Sequence, residues 1–235
     1  MDRRAPYFFV AGFLLVLNLS IFAPPFLVFT GFEGAAAALY NIHSYDHQWI
    51  YRSQCVFWGD TGLRIEDCIV QGKESEANIS TLYTLAGDPA YNGVFGEYPQ
   101  SQIGRNKAER VERNGMVGYK FANDTRDYAI YLPMLAALLA YPSVLAGRIT
   151  RTPHVIWLII ALVPMAIDGT TQALAGIFGD PGYYWLSAFG LHESTNLLRW
   201  VTGGIAGTAA GVYMGAMIYP REKEATDGKI AEGAP

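Results

Sequence analysis

Residues 153–177 read PHVIWLIIALVPMAIDGTTQALAGI. Twenty-five residues rising 1.5 Å each are long enough to cross a bilayer core of about 30 Å. The stretch holds one aspartate, Asp168, and no lysine, arginine or glutamate. A water-exposed helix of this length needs a charged face, and this one has none. It reads as a membrane span with one acid inside it. By the same criterion, spans are expected at about 6–30, 128–147 and 196–219. The first is too long for the core of a signal peptide, about 7–15 residues, and Pro24-Pro25 makes poor cleavage-site context, so it reads as a retained anchor.

The rest of the chain agrees. Charged residues make up 16% of 235, against about 25% in ordinary soluble domains, and the four apolar segments hold almost none of them. The 17 basic and 21 acidic residues leave a net charge of −4 with no basic stripe, which excludes nucleic acid as a partner. Two cysteines are too few for a disulfide scaffold or a four-cysteine zinc site. No zinc-protease, P-loop, GxSxG, Rossmann or CxxCH signature occurs. No motif names a metal or a cofactor, and both stay open. The fold expected is an all-α membrane protein, a four-helix transmembrane bundle with a loop-rich extracytoplasmic insertion.

Short flanks orient such a bundle through their lysines and arginines. Arg3 and Arg4, Arg148 and Arg151, and Arg221, Lys223 and Lys229 share one side if both termini are cytoplasmic. The multi-pass protein then sits in the cell membrane with residues 31–127 extracytoplasmic. Four segments follow: 1–54, a first span and an interfacial stretch; 55–119, the insertion; 120–220, three further spans; and 221–235, a polar cytoplasmic tail. Prolines 24, 25, 133, 142 and 164 fall inside spans, where lipid tolerates them only if neighbours re-satisfy the freed carbonyls.

Gly203, Gly207, Gly211 and Gly215 recur every four residues and line one helix face, a GxxxG-type groove for another backbone. A neighbouring span is the first candidate to fill it, and a second protomer the alternative. In the insertion, residues 103–116 (IGRNKAERVERNGM) read as a short polar helix stopped at Gly115. Cys55 and Cys68 are a candidate disulfide on an oxidising side, the alternative being two buried thiols.

Polar residues are costly in lipid and mark function or pairing. Gln172 lies four residues beyond Asp168 on the same helix face. Glu193, Asn196 and Arg199, spaced by three, open the last span, and Ser194 or Thr195 can cap it. Asp46-His47-Gln48 with Arg52 follow an alanine-rich stretch, and Arg126-Asp127 precede the second span, where an exposed ion pair is the ordinary explanation. All four sets fall toward the extracytoplasmic side, which suggests one outer-leaflet cluster, with Arg199 able to pair with a carboxylate, Asp168 or Glu193.

These sets, in this order, resemble an uncharacterised prokaryotic membrane-protein family, domain of unknown function 2085. The stretches that carry the resemblance are Asp46-His47-Gln48 with Arg52-Ser53, Arg126-Asp127-Tyr128-Ala129-Ile130-Tyr131, PMAIDGTTQ at 164–172 and ESTNLLRWVTG at 193–203. It covers roughly the first 55 residues and 120–219. It implies a small multi-span protein with these polar residues and no particular activity. Where the family's first cysteine is expected this chain has Asp46, a harder ligand than a thiolate, and the cysteines expected near Arg126 are missing.

Three functions are compatible with this reading. The first is an accessory or assembly subunit of a larger membrane complex, with lipid and other membrane-protein subunits as partners. The second is an intramembrane or interfacial enzyme acting on an anionic lipid or lipid-linked head group. In it Asp168 or Glu193 is the general acid/base, His47 assists, and Arg52, Arg126 and Arg199 hold the anion. The third is a small ion or solute transporter built on Asp168 and Gln172.

Overall fold

A computed structural model describes residues 4–43, 50–59, 62–70, 73–82, 93–95, 108–146, 148–149, 152–188 and 194–219, with the side chains of 175–188 left aside. Four helices are long and apolar enough to cross a membrane: Ala5–Phe29, Thr125–Leu145, Val155–Leu174 and Asn196–Ile218. The elements run α1 (Ala5–Phe29), α2 (Glu33–Ile42), β1 (Gln54–Gly59), β2 (Gly62–Asp67), β3 (Asn78–Ser80), β4 (Gly93–Val94), β5 (Arg110–Arg113), β6 (Met116–Lys120), α3 (Thr125–Ala140), α4 (Val155–Ala188) and α5 (Asn196–Ile218).

The all-α expectation is therefore wrong. The insertion builds a six-stranded antiparallel sheet in the order β2-β1-β6-β5-β3-β4. The polar helix expected over 103–116 is wrong too: 110–113 and 116–120 are the arms of a hairpin, and 103–107 lie outside the described residues. The turn decides it. Asn114 and Gly115 adopt φ of 49° and 72°, the left-handed pair that a two-residue hairpin turn requires and that Asn-Gly supplies best.

The two faces of the sheet do different jobs. Cys55, Phe57, Ile79 and Val111 point into a core closed by Ile50, Ile69, Ala77, Phe95 and Ala108. Cys55 and Cys68 are bonded within it, S–S 2.02 Å. Gly118 leaves room there for the Phe57 ring, which any side chain would overlap. On the opposite face Val56 packs with Ile21 of α1 and with Phe121 and Tyr128, so the sheet sits directly on one end of the helices.

Two prolines inside helices leave carbonyls that other segments satisfy, one at the sheet end of the bundle and one at the opposite end. Pro25 has no N–H for the Ile21 carbonyl, and the Ala122 N–H donates to it at 3.0 Å. Pro142 likewise cannot donate to the Leu138 carbonyl, which accepts instead from the Tyr141 N–H and, at 3.0 Å, from the Tyr7 hydroxyl. Pro142 also coincides with a π-helical turn, Tyr141–Leu145, that ends the second span. Ser20 Oγ and His43 Nε2, 2.8 Å apart, tie α1 to α2.

The closest helix pair is α3 against α5, and glycines set its spacing. A Cβ at Gly207 would overlap the Ile130 carbonyl, one at Gly211 the Met134 carbonyl, and one at Gly203 would stand 3.0 Å from the Ala129 Cβ. At Gly215 the obstacle is the Tyr141 ring. The glycine face of α5 is filled by α3 of the same chain. By contrast α4 packs along α5 and scarcely touches α3.

Candidate functional site

Arg126 opens α3, Asp168 lies on α4 and Thr202 is the seventh residue of α5, about 9 Å below that helix's N-terminus. Arg126 Nη2 meets Asp168 Oδ2 at 2.5 Å, and Thr202 Oγ1 stands 3.4 Å from the same oxygen, its single proton shared between that carboxylate and the nearer Leu198 carbonyl at 3.0 Å. The Asp168 side chain is 3% exposed and that of Arg126 23%. An aspartate so placed costs about 2.5–3.5 kcal/mol to insert on translocon scales, and the guanidinium offsets that cost by leaving the pair neutral. Among the described residues the bridge joins two helices that otherwise barely touch.

The satisfaction is incomplete. Asp168 Oδ1, Gln172 Oε1 and Arg126 Nε are buried with no hydrogen-bond partner among the described residues. Gln172 lies one turn from Asp168 on α4, so two unmet acceptors share one helix face beside one unmet donor. Next to them Gly169 has room: among the described residues a Cβ there would meet Arg126 Nη1 alone, at 3.6 Å.

A second polar group joins α5 to the sheet. Thr195 caps α5, its Oγ1 accepting from the Leu198 N–H at 3.2 Å. Asn196 Nδ2 donates to Asp67 Oδ1 at the end of β2, 2.9 Å, and its Oδ1 accepts from Arg199 Nη1, 3.1 Å. Gln54 Oε1 accepts from Trp200 Nε1 at 3.0 Å and from the Tyr128 hydroxyl at 3.3 Å, and the Gln54 N–H returns to the Tyr128 oxygen at 3.2 Å. Arg199, 2% exposed, belongs to this group and not to Asp168.

Several expectations therefore shift. Arg126 pairs with Asp168 rather than with its neighbour Asp127, and it displaces Arg199 as the partner of the buried acid. Asp127 stays in the first turn of α3, its N–H bonded to the Asp124 carbonyl. Arg52 stacks over the Tyr51 ring at 5.0 Å. Asp46, His47, Gln48 and Glu193 lie outside the described residues. Among the described residues no three His, Cys, Asp or Glu side chains gather closely enough for a metal. Gln54, Asp67, Tyr128, Trp200 and Thr202 were not singled out from the sequence. Tyr128, Trp200 and Thr202 stood there as members of the quoted motif stretches, and Thr202 also continues the spacing of three from Asn196 through Arg199.

The helices that carry both groups are those the comparisons recognise. Residues 110–213 match the family described as Predicted membrane protein (DUF2085). This is the family that the motifs resemble, and its match takes in Arg126, Asp168, Gln172, Asn196, Arg199 and Thr202. The first two helices, β1 to β4 and the disulfide precede the DUF2085 match. Uncharacterized protein MJ1492 of Methanocaldococcus jannaschii is 37% identical over 97 residues, which are 41% of this chain and 53% of the relative. The chain thus spans about half the length of the curated relative it matches. No solved structure matches. The protein is a membrane protein, and neither the DUF2085 description nor the archaeal relative names an activity.

Proposed function

We propose that the protein is an accessory or assembly subunit of a larger membrane complex, in which the polar groups hold the fold and α4 meets a partner. The observation that carries this reading is the poor cover of α4. Of its most apolar window 11% is buried within the chain, against 33–39% for the other three spans. Trp157, Ile159, Ile160, Val163 and Ile167 are all exposed, and among the described residues α4 packs mainly on α5 and pairs its Asp168 with Arg126. The charges of Arg126 and Asp168 cancel each other, as pinning requires. A phosphate would have to compete with the Asp168 carboxylate for Arg126, which weighs against an anionic head group as substrate.

The bilayer orientation belongs to the same proposal. The sheet caps the ends of α1, α3 and α5 that lie away from Arg4 and Arg148, and the basic flanks at the opposite ends support an extracytoplasmic sheet. A disulfide in the sheet core suits that side. Purification in mild detergent followed by native mass spectrometry tests the reading. A stable assembly with another membrane protein, cross-linking through positions 160 and 167, is the expected result. Migration as a lone 25.8 kDa chain would overturn it.

One observation favours a second reading, a small-molecule site. The two unmet acceptors, Asp168 Oδ1 and Gln172 Oε1, suit a neutral hydrogen-bond donor such as a hydroxyl or water, whereas a cation would sit against the Arg126 guanidinium. Wild-type protein that carries a small hydroxyl compound absent from the Gln172→Leu variant would favour this reading over the first.

A further inference from the structure

Antiparallel register places alternate residues of paired strands on a common face. In β1 and β2, Gln54 stands opposite Asp67, Val56 opposite Ile65, and Trp58 opposite Leu63. All six therefore point the way Val56 does, toward the helices. The inner members of this face are engaged there: Val56 with Ile21 and Tyr128, Gln54 with Tyr128 and Trp200, and Asp67 with Asn196. The outer members overhang the bundle. Trp58, Leu63 and Ile65 are 57%, 45% and 52% exposed, although they continue an apolar face. The Trp58 ring lies 5.7 Å from Phe29, the last residue of α1, and Phe32, just beyond that helix, is 64% exposed.

We infer that the β1–β2 hairpin rests on the bilayer surface, with Trp58, Leu63 and Ile65 in the interfacial layer. The occupant of this face follows from its position. It adjoins the end of a spanning helix and belongs to the face of the sheet that packs on the helices, so the surface below its overhanging part is lipid. Tryptophan beside aliphatic side chains is the composition of an interfacial anchor. β2 is also an outermost strand, and a bare apolar edge strand in water invites pairing with other chains. Contact with lipid removes the exposed apolar surface. On the other face Cys55 and Phe57 of β1 enter the core, and it is the β2 residues that meet water there, Arg64 and Glu66 standing 4.0 Å apart with both side chains well exposed.

Both native cysteines are bonded to each other, so a cysteine introduced at Ile65 or at Arg64 is the sole free thiol for a nitroxide label. Full-length protein labelled at each position is reconstituted into phosphatidylcholine–phosphatidylglycerol vesicles, and collision with oxygen is compared with collision with a water-soluble nickel chelate. The expected result is an oxygen-to-nickel ratio several-fold higher for Ile65→Cys than for Arg64→Cys, with Leu63→Cys following Ile65→Cys. Equal ratios at 64 and 65 would place the face in water and overturn the inference. Shielding of 65 from both agents would mean burial against protein, and that result overturns it too.

Discussion

Replacing Gly207 by alanine is the sharpest test of the α3–α5 interface. The added Cβ would stand 2.9 Å from the Ile130 carbonyl carbon and 3.0 Å from its Cα, and would overlap the carbonyl oxygen. Carbon atoms settle at about 3.5–4.0 Å, so one helix must retreat by roughly 0.5–1 Å. Because the obstacle is backbone, no rotamer relieves it, and the cost belongs in the upper part of the overpacking range, about 2–3 kcal/mol. Alanine also gains about 1 kcal/mol over glycine in helix propensity. Gly204→Ala is the control, since a Cβ there meets nothing within 4 Å while the propensity gain is the same. The two variants should differ by about 2–3 kcal/mol, roughly 30- to 140-fold in the folded-to-unfolded ratio. Titration of the micelle-bound protein with sodium dodecyl sulfate, followed by circular dichroism, reads that difference. Gly211→Ala should fall with Gly207→Ala. Gly215→Ala should cost less, because its obstacle is the movable Tyr141 ring. If Gly204→Ala and Gly207→Ala prove equally stable, the close approach of α3 to α5 is wrong.

Removing one partner of the buried pair should cost more than removing both. Asp168→Leu or Arg126→Met alone is expected to destabilise by about 3 kcal/mol, the low end for a buried pair because Arg126 is partly exposed, and the double variant by much less. A double-mutant cycle in the same titration gives the coupling, and additive losses would contradict the pairing. Replacing Cys55 and Cys68 by alanine opens a closure of 13 residues in sequence. The sheet should lose about 3 kcal/mol, seen as faster amide hydrogen exchange in β1 and β2 while α3 and α5 stay protected. Asn196→Leu removes the bonds to Asp67 and from Arg199. At about 1–3 kcal/mol for buried groups left unmet, it should raise exchange in β2 more than in β5, and uniform exchange would refute the link.

What the sequence determined by itself was everything governed by length and solvent. Four long stretches nearly free of charge have to be helices in lipid, because each backbone group must bond within its own segment. Asp168 stands out among them because burying a charge costs energy wherever it ends up. The sheet was hidden for a physical reason. Its strands are two to six residues long, too short for a clear period, and Arg110–Arg113 alternate between faces without a hydrophobic contrast. The Asn114-Gly115 turn was the one local clue, and it read equally well as a helix stop. The identity of the acid's partner was beyond local reading too. Arg126 and Arg199 are both arginines near helix starts in the same region, and only the packing of α3 on α5 and the placement of α4 put one guanidinium on Asp168 and the other on Asn196. Gln54 and Asp67 gave no signal at all, since a polar residue in a loop or short strand is ordinary until a helix end arrives beside it. Local composition states which groups cannot remain alone; which partner each receives depends on contacts made across 40 to 150 residues of chain, as from Arg126 to Asp168 and from Gln54 to Trp200.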